Sequence, residues 1–173
     1  MLPRPNTPLY NLTHEDNEIK AKTLKRWRRL NKYLVLPLYR CYLLPFFGFG
    51  RIFLILTTKG RKTGKKRRTP LEYHRIDNII MVISGRGEDA GWMKNIRLNP
   101  DSVSVRHGFH RFKPKIDYVI DEDKKLQIIK WYVKKHGRSA KLLFGWDPKI
   151  DDLETTDFSN ILRLISIIRF IRE

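Results

Sequence analysis

From Arg51 to Leu56 the chain runs Arg-Ile-Phe-Leu-Ile-Leu and then stops at two threonines. An apolar run without polar alternation predicts a strand over 51–58 buried on both sides. A basic stretch follows, and a second extended segment is predicted over 69–76. Asp77-Asn78 separates that segment from the apolar run 79–84, which predicts a tight turn and a β-hairpin. Residues 85–91, GRGEDAG, form a glycine-rich loop. Residues 92–98 then have the pattern of a short helix stopped by Asn99-Pro100. Strands over 102–106 and 110–120 flank His107-Gly108 as a second hairpin. Asp121 is the N-cap of a helix reaching Lys135, with Leu126, Ile129, Tyr132 and Val133 on its apolar side. After an Asp-rich linker, the alternation over 161–171 predicts a final strand.

The N-terminal third has a different texture. Residues 1–16, rich in Pro and Asn, have the composition of a flexible arm. From Glu18 to Leu36 the period is helical: Leu24, Trp27, Leu30 or Asn31, and Leu34 form a stripe. Lys20, Lys22, Lys25, Arg26, Arg28, Arg29 and Lys32 surround it. A second short helix is predicted over 38–47, punctuated by Pro45 and Gly48, so 17–47 is a basic helical region. Two uses fit the stripe. It packs on the rest of the domain with its cations facing water, the favoured use, or it lies on an anionic membrane surface as peripheral helices do. Residues 33–56 are apolar but broken by Pro37, Arg40, Pro45, Gly48, Gly50 and Arg51. That falls short of the about 20 unbroken apolar residues of a spanning helix. Consecutive hairpins with peripheral helices predict an α+β, mainly β fold, a small barrel of antiparallel hairpins forming one domain over 17–173.

Charge sharpens this picture. The 173 residues carry a net charge of +18, and residues 1–115 hold 25 Lys and Arg against 8 Asp and Glu. The partner of that part is anionic: phosphate, nucleic acid or a membrane surface. Cys41 is the single cysteine, which excludes a disulfide framework and a thiolate metal site and suits a reducing cytoplasm. The N-terminus has no apolar core of a secretory signal, so a cytoplasmic location is expected. Seven of the ten residues from Lys59 to Arg68 are basic and none is acidic. In a glycine-bounded turn, backbone N–H groups can converge on an anion, Arg61 and Arg67 can grip phosphate oxygens in bidentate fashion, and Thr63 adds a hydroxyl. The GxxxxGK[ST] spacing of a P-loop is absent. The plain alternative is a solvated hairpin tip. No metal is expected: His107 and His110 lie across a turn and no Cys, Asp or Glu joins them at ligand spacing. Asp121, Glu122 and Asp123 are helix N-terminal charges, and Trp131 and Trp146 are core residues.

LTTKGRKTGKKRRTPLEY, followed by VISGRGEDAGWMKNIRLNPDSVSV, resembles the deazaflavin-dependent nitroreductase family over roughly residues 50–135. The resemblance implies a split β-barrel that binds coenzyme F420, an 8-hydroxy-5-deazaflavin, and an oxidoreductase that transfers hydride to a quinone, activated alkene or nitro compound. On the same basis Arg61, Lys62, Thr63 and Arg67 would hold the coenzyme's phosphate and the start of its oligoglutamate tail. Thr69, Pro70 and Leu71 would line the ribityl chain or ring edge. Val82, Ile83, Ser84 and Gly85 would pack against the ring, and Trp92 and Asn95 would close the pocket. Ser84 is the candidate for orienting substrate or ring, and Ser84, Tyr73 or solvent supplies the proton. Relatives with a Ser-Lys-Gly-Gly loop have the lysine one position before Arg86, which is taken as its replacement. The substrate tyrosines that some relatives place near the C-terminus have no match here.

Two rivals remain. A flavin mononucleotide protein of the same fold would use the loop for one phosphate, although seven cations exceed what one phosphate needs. A nucleic-acid-binding barrel would place its cations and aromatics on backbone and bases. Clustering of the cations in one turn, instead of along a strand face, argues against nucleic acid. The oligomeric state is open at this level.

Overall fold

A computed structural model describes residues 1–13, 17–41, 52–77 and 79–172. Among the described residues, eight strands form two four-stranded sheets in which every neighbouring pair is antiparallel. The first sheet has the order β2-β1-β5-β6, with β1 Phe53–Lys59, β2 Lys66–Glu72, β5 Ser104–His107 and β6 His110–Phe112. The second has the order β3-β4-β8-β7, with β3 His74–Ile76, β4 Ile79–Ser84, β7 Pro114–Val119 and β8 Ser166–Arg172. This is the α+β, hairpin-built class that the sequence predicts.

Two cores explain why the strands look apolar throughout. Leu54, Leu56 and Val105 of the first sheet meet Ile80, Val82, Ile168 and Phe170 of the second. Met93 and Ile96 of helix α4 (Gly91–Leu98) close that core. On the outer face of the second sheet, Met81, Val119 and Ile167 pack under the helices. Those helices are α1 (Pro8–Thr13), α5 (Glu122–Lys135), α6 (Gly137–Phe144) and α7 (Ser159–Leu164), which supply Leu9, Ile129, Phe144 and Ile161 among others. Strand side chains alternate between faces, so a strand covered on both sides is apolar at every position. β4 is the clear case. Trp146 and the half-buried Trp131 belong to the helical core.

Several expectations are corrected. The segment 69–76 is two strands, because at Tyr73 the chain leaves the first sheet for the second. The segment 110–120 divides likewise at Lys113. An extended chain that changes sheets keeps its apolar pattern, so the break leaves no local signal. α6 occupies part of the expected linker, and α7 takes the first residues of the strand predicted over 161–171, the rest of which is β8. The arm expected over 1–16 is packed over its described part: Leu2 and Leu9 are buried, and Arg4 pairs with Asp151 at 2.6 Å and donates to the Gly145 carbonyl. Asn78 and the region 42–51, with most of the predicted 38–47 helix, lie outside the described residues.

The basic region forms α2 (Asn17–Leu30), a π-helical turn Asn31–Val35, and α3 (Leu36–Arg40). Leu36 N–H donates to the Asn31 carbonyl, five residues back. Pro37 accounts for the wider turn, since its ring would clash with the carbonyl of Tyr33 in an ordinary helix. Tyr39 anchors the far end: it is fully buried, its hydroxyl accepts from Gly108 N–H at 2.8 Å, and its carbonyl accepts from the Arg106 guanidinium at 2.8 Å. The favoured packing of the stripe is not what the structure shows. α2 has no buried residue, and Trp27, Leu30, Tyr33 and Leu34 are 43, 44, 69 and 50% exposed.

Candidate functional site

The basic stretch is a hairpin loop, Gly60–Lys65, closing the Lys59–Lys66 register pair. Gly60 N–H donates to Lys65 O at 2.9 Å and Gly64 N–H to Gly60 O at 2.8 Å. Gly64 has φ +64°, a left-handed conformation in which a side chain is strained. The loop is therefore ordered by its own backbone, and its side chains are displaced outward. Lys59, Arg61, Lys62, Lys65, Lys66, Arg67 and Arg68 are all exposed. Among the described residues none of the seven pairs with a carboxylate. Arg67 folds back over the turn and its guanidinium donates to Thr63 Oγ1 at 3.4 Å. Lys66, Arg67 and Arg68 belong to β2, so the cations continue from the turn onto an edge strand. That corrects the expectation that they cluster in the turn alone.

One buried side chain ties this loop to α4. Asn95, 7% exposed, accepts from Arg61 N–H at 3.1 Å and donates to Thr58 Oγ1 at 3.2 Å. Thr58 is 1% exposed on β1. Asn95 thus holds the first residue of the loop against the end of its own strand, and Arg61 Nη1 reaches the Gly91 carbonyl at 3.5 Å. Thr58 escaped notice in the sequence; a polar residue on the inward register of an apolar strand was the available signal. Trp92 is half-buried against the inter-sheet core on the same helix.

The end of β4 departs from the expected arrangement. Val82 is sealed in the inter-sheet core and Ile83 packs toward the helices, so their side chains point to opposite faces. Ser84 Oγ is buried and donates to Gly87 O at 2.9 Å, bracing the glycine loop. Gly85 lies against Leu9. Gly87 has φ +50°, and a Cβ there would stand 2.8 Å from the Leu164 carbonyl. Arg86 is half-buried, with its Nε sealed from solvent and without a hydrogen bond. It lines a cleft of about 650 Å³ shared with Lys20, Glu88, Arg97, Lys125 and Arg163. Arg97 lies two residues beyond Asn95, which turns it to the opposite face of α4. There its guanidinium stacks 3.5 Å from the Tyr118 ring and pairs with Glu88 at 2.9 Å. Hydrogen bonding to Arg97 holds the Glu88 carboxyl below its ordinary range. Arg86 thus shares a cleft with Arg97, on the face of α4 away from Asn95.

Along β2, Thr69 and Leu71 are half-buried and Pro70 is buried opposite Ile55. Proline is tolerated there because β2 is an edge strand. Tyr73 lies seven residues beyond Lys66, roughly 23 Å along an extended strand from the loop. Its N–H donates to Ile52 O at 3.0 Å and it belongs to the inter-sheet core. The structure therefore gathers Arg61, Lys62, Thr63, Arg67 and Asn95 with Thr58, and leaves Arg86 and Tyr73 apart from them. His107 and His110 are register partners with ring centroids 5.7 Å apart. Among the described residues no group of three or more His, Cys, Asp or Glu is placed to hold a metal.

A family model described as F420H(2)-dependent quinone reductase matches residues 47–136. An F420H(2)-dependent quinone reductase of Mycobacterium tuberculosis is 37% identical over 62 residues, 34% of this chain and 41% of that protein. A Mycobacterium bovis relative matches at the same level, so the chain spans about two fifths of the length of these curated relatives. Among solved structures, an F420-H2 dependent reductase is 24% identical, covering 69% of this chain and 94% of its own at a TM-score of 0.46. A pyridoxamine 5'-phosphate oxidase-type protein from Listeria innocua, 15% identical, covers 79% and 94% at 0.47. The family model takes in the cationic loop, the glycine loop and α4 together, more than half of the chain, and this chain belongs to the F420H(2)-dependent quinone reductase family.

Proposed function

We propose that the chain is an oxidoreductase that binds coenzyme F420 on the Gly60–Arg68 hairpin and reduces a quinone. The observation that carries this is a run of seven exposed cations without a carboxylate partner among the described residues, on a hairpin whose turn Asn95 ties to α4. A ligand with one phosphate and several carboxylates matches that donor set. A single phosphate leaves most of it unused, which disfavours flavin mononucleotide.

In this reading Arg61, Lys62 and Arg67 bind phosphate and tail carboxylates, and Thr63 keeps Arg67 over the turn. Thr69 and Leu71 line one wall. When bound, the reduced deazaflavin supplies the hydride. The Ser84 proton is committed to Gly87, so we assign Ser84 to positioning the glycine loop. Tyr73 is remote from the cations, and the proton comes from solvent. The continuation of cations onto β2 favours, as a second reading, a nucleic-acid strand along that edge.

Fluorescence titration distinguishes these. Micromolar protein should quench coenzyme F420 and leave flavin mononucleotide unaffected, with longer-tailed coenzyme binding more tightly. No quenching by the wild type, or tighter and steeply salt-dependent binding of single-stranded DNA, defeats the proposal.

A further inference from the structure

The cleft that holds Arg86 is lined from segments far apart in the chain. Lys20 comes from α2, Arg86 from the glycine loop, Lys125 from α5 and Arg163 from α7, and Arg97 of α4 joins them. Among the described residues, Glu88 and Asp89 are the carboxylates on the lining, and both are engaged. Glu88 accepts from Arg97 at 2.9 Å and from the Ser166 hydroxyl at 3.3 Å, and Asp89 pairs with Lys94 at 2.6 Å. Lys20, Arg86, Lys125 and Arg163 have no ion pair among the described residues. Folding thus gathers four uncompensated cations in one concavity, which concentrates anions there.

Arg86 is the fixed member of the cluster. Ser84 Oγ holds the Gly87 carbonyl at 2.9 Å, and Gly87 comes so near α7 that a Cβ would stand 2.8 Å from the Leu164 carbonyl. The arginine between them is therefore set against the segment that carries Arg163. Its Nε is sealed from water and lacks an acceptor, a condition that buried donors seldom keep. Apolar groups line the cleft beside the cations: Leu12, Tyr118 and Leu164 are half-buried, and Ile120 is 78% exposed. A second cavity of about 640 Å³, walled by Leu2, Pro3, Pro5 and Tyr10, shares Thr13, Arg163 and Leu164 with the first.

We propose that this cleft binds an organic oxyanion, a carboxylate or phosphate ester on an apolar body. The oxyanion lies on the Arg86 and Arg163 guanidinium groups, whose parallel N–H donors suit paired oxygens, with Lys20 and Lys125 balancing its charge. The body lies against Leu12, Tyr118 and Ile120. Inorganic phosphate alone would leave that wall in water. A cavity of about 650 Å³ with apolar walls and a few placed charges has the make-up of a small-molecule site. It is separate from the cationic hairpin, since Arg97 and Asn95 face opposite ways on α4.

Calorimetric titration of the full chain with 2-naphthoate, 2-naphthyl phosphate and the neutral 2-naphthamide tests the site without an activity measurement. At least one anion should bind with a Kd at or below about 1 mM, as expected for a ligand of this size, and the tighter of the two identifies the oxyanion. The amide should bind about tenfold more weakly. Arg86→Gln should lose about tenfold, and Arg86→Lys, which keeps the charge without the fork, should fall between. Arg163→Gln changes an exposed side chain, so it should melt with the wild type and lose about threefold. Silence from both anions overturns the proposal, as does equal binding of the amide or undiminished binding by both glutamine variants. Competitive displacement of 2-naphthoate by coenzyme F420 refutes a separate site and makes the cleft part of the cofactor groove. Naphthoate binding by a protein that does not quench the coenzyme upholds the cleft and defeats the cofactor reading alone.

Discussion

Asn95→Ala is the substitution that most directly probes how the cationic loop is held. The native side chain spans 3.1 Å to Arg61 N–H and 3.2 Å to Thr58 Oγ1. Truncation orphans both partners, but not equally. The Arg61 amide sits on an exposed turn where water replaces the bond, so its loss costs about 0.5–1.5 kcal/mol. The Thr58 hydroxyl is 1% exposed and has no route to water, so leaving it unpaired costs about 1–3 kcal/mol. The two together come to about 1.5–4.5 kcal/mol, a fall in Tm of roughly 3–18 °C for a domain of this size. Adding Thr58→Val to Asn95→Ala removes the stranded hydroxyl and should recover about 1–2 kcal/mol. The loop, still closed by its own backbone bonds, also loses its tie to α4, and coenzyme affinity should fall about tenfold because its position against α4 must now be fixed on binding. Calorimetry and fluorescence titration on the four members of the double-mutant cycle give both quantities. If Asn95→Ala melts with the wild type and binds as tightly, Asn95 is not what positions the loop.

Other expectations follow from the same structure. Arg61→Ala and Lys62→Ala should weaken coenzyme binding, more for long-tailed than short-tailed forms, while leaving Tm within about 1 °C, because both side chains are exposed, neither is in an ion pair, and the Arg61 contact to the Gly91 carbonyl is long, at 3.5 Å. Gly87→Ala should destabilise by about 2–4 kcal/mol in chemical denaturation, combining a left-handed φ with a clash against the fixed Leu164 carbonyl. His74 is buried beside Trp131, Tyr132, His136 and Lys135, with a Glu72 oxygen at 3.7 Å. Burial first, then the neighbouring His136 and Lys135, push His74 down to about 4. The unfolded chain takes up that proton at a higher pH than the folded one. Stability should therefore fall as pH drops from about 6.5 toward 4, by at most about 3 kcal/mol. Glu72, which burial pushes up, acts in the opposite sense, so the difference between wild type and His74→Phe isolates the histidine. A pH-independent difference between the two refutes the assignment.

How much of this was legible beforehand depended on whether a local cause existed. β1 announced itself because both of its faces are covered, with Leu54, Ile55 and Leu56 buried in succession. The Asp121 cap was readable because its bond to Lys124 N–H, 2.8 Å, spans three residues. The breaks at Tyr73 and Lys113 were not, since each is a transfer between sheets that leaves the chain extended. α6 was hidden in what looked like linker, as eight residues carry too few turns of period to stand out.

The site divides in the same way. Sequence alone determined that a dense, acid-free cationic hairpin follows a buried strand, since charge and turn residues are properties of neighbours in the chain. Only the tertiary structure decided that Asn95 and Thr58, 37 residues apart, clamp that hairpin. It also turned Arg86 into a different cleft, committed the Ser84 proton to Gly87 and left the α2 stripe uncovered. Each of these turns on which groups from distant segments meet and which are excluded from water, and spacing along the chain does not encode that.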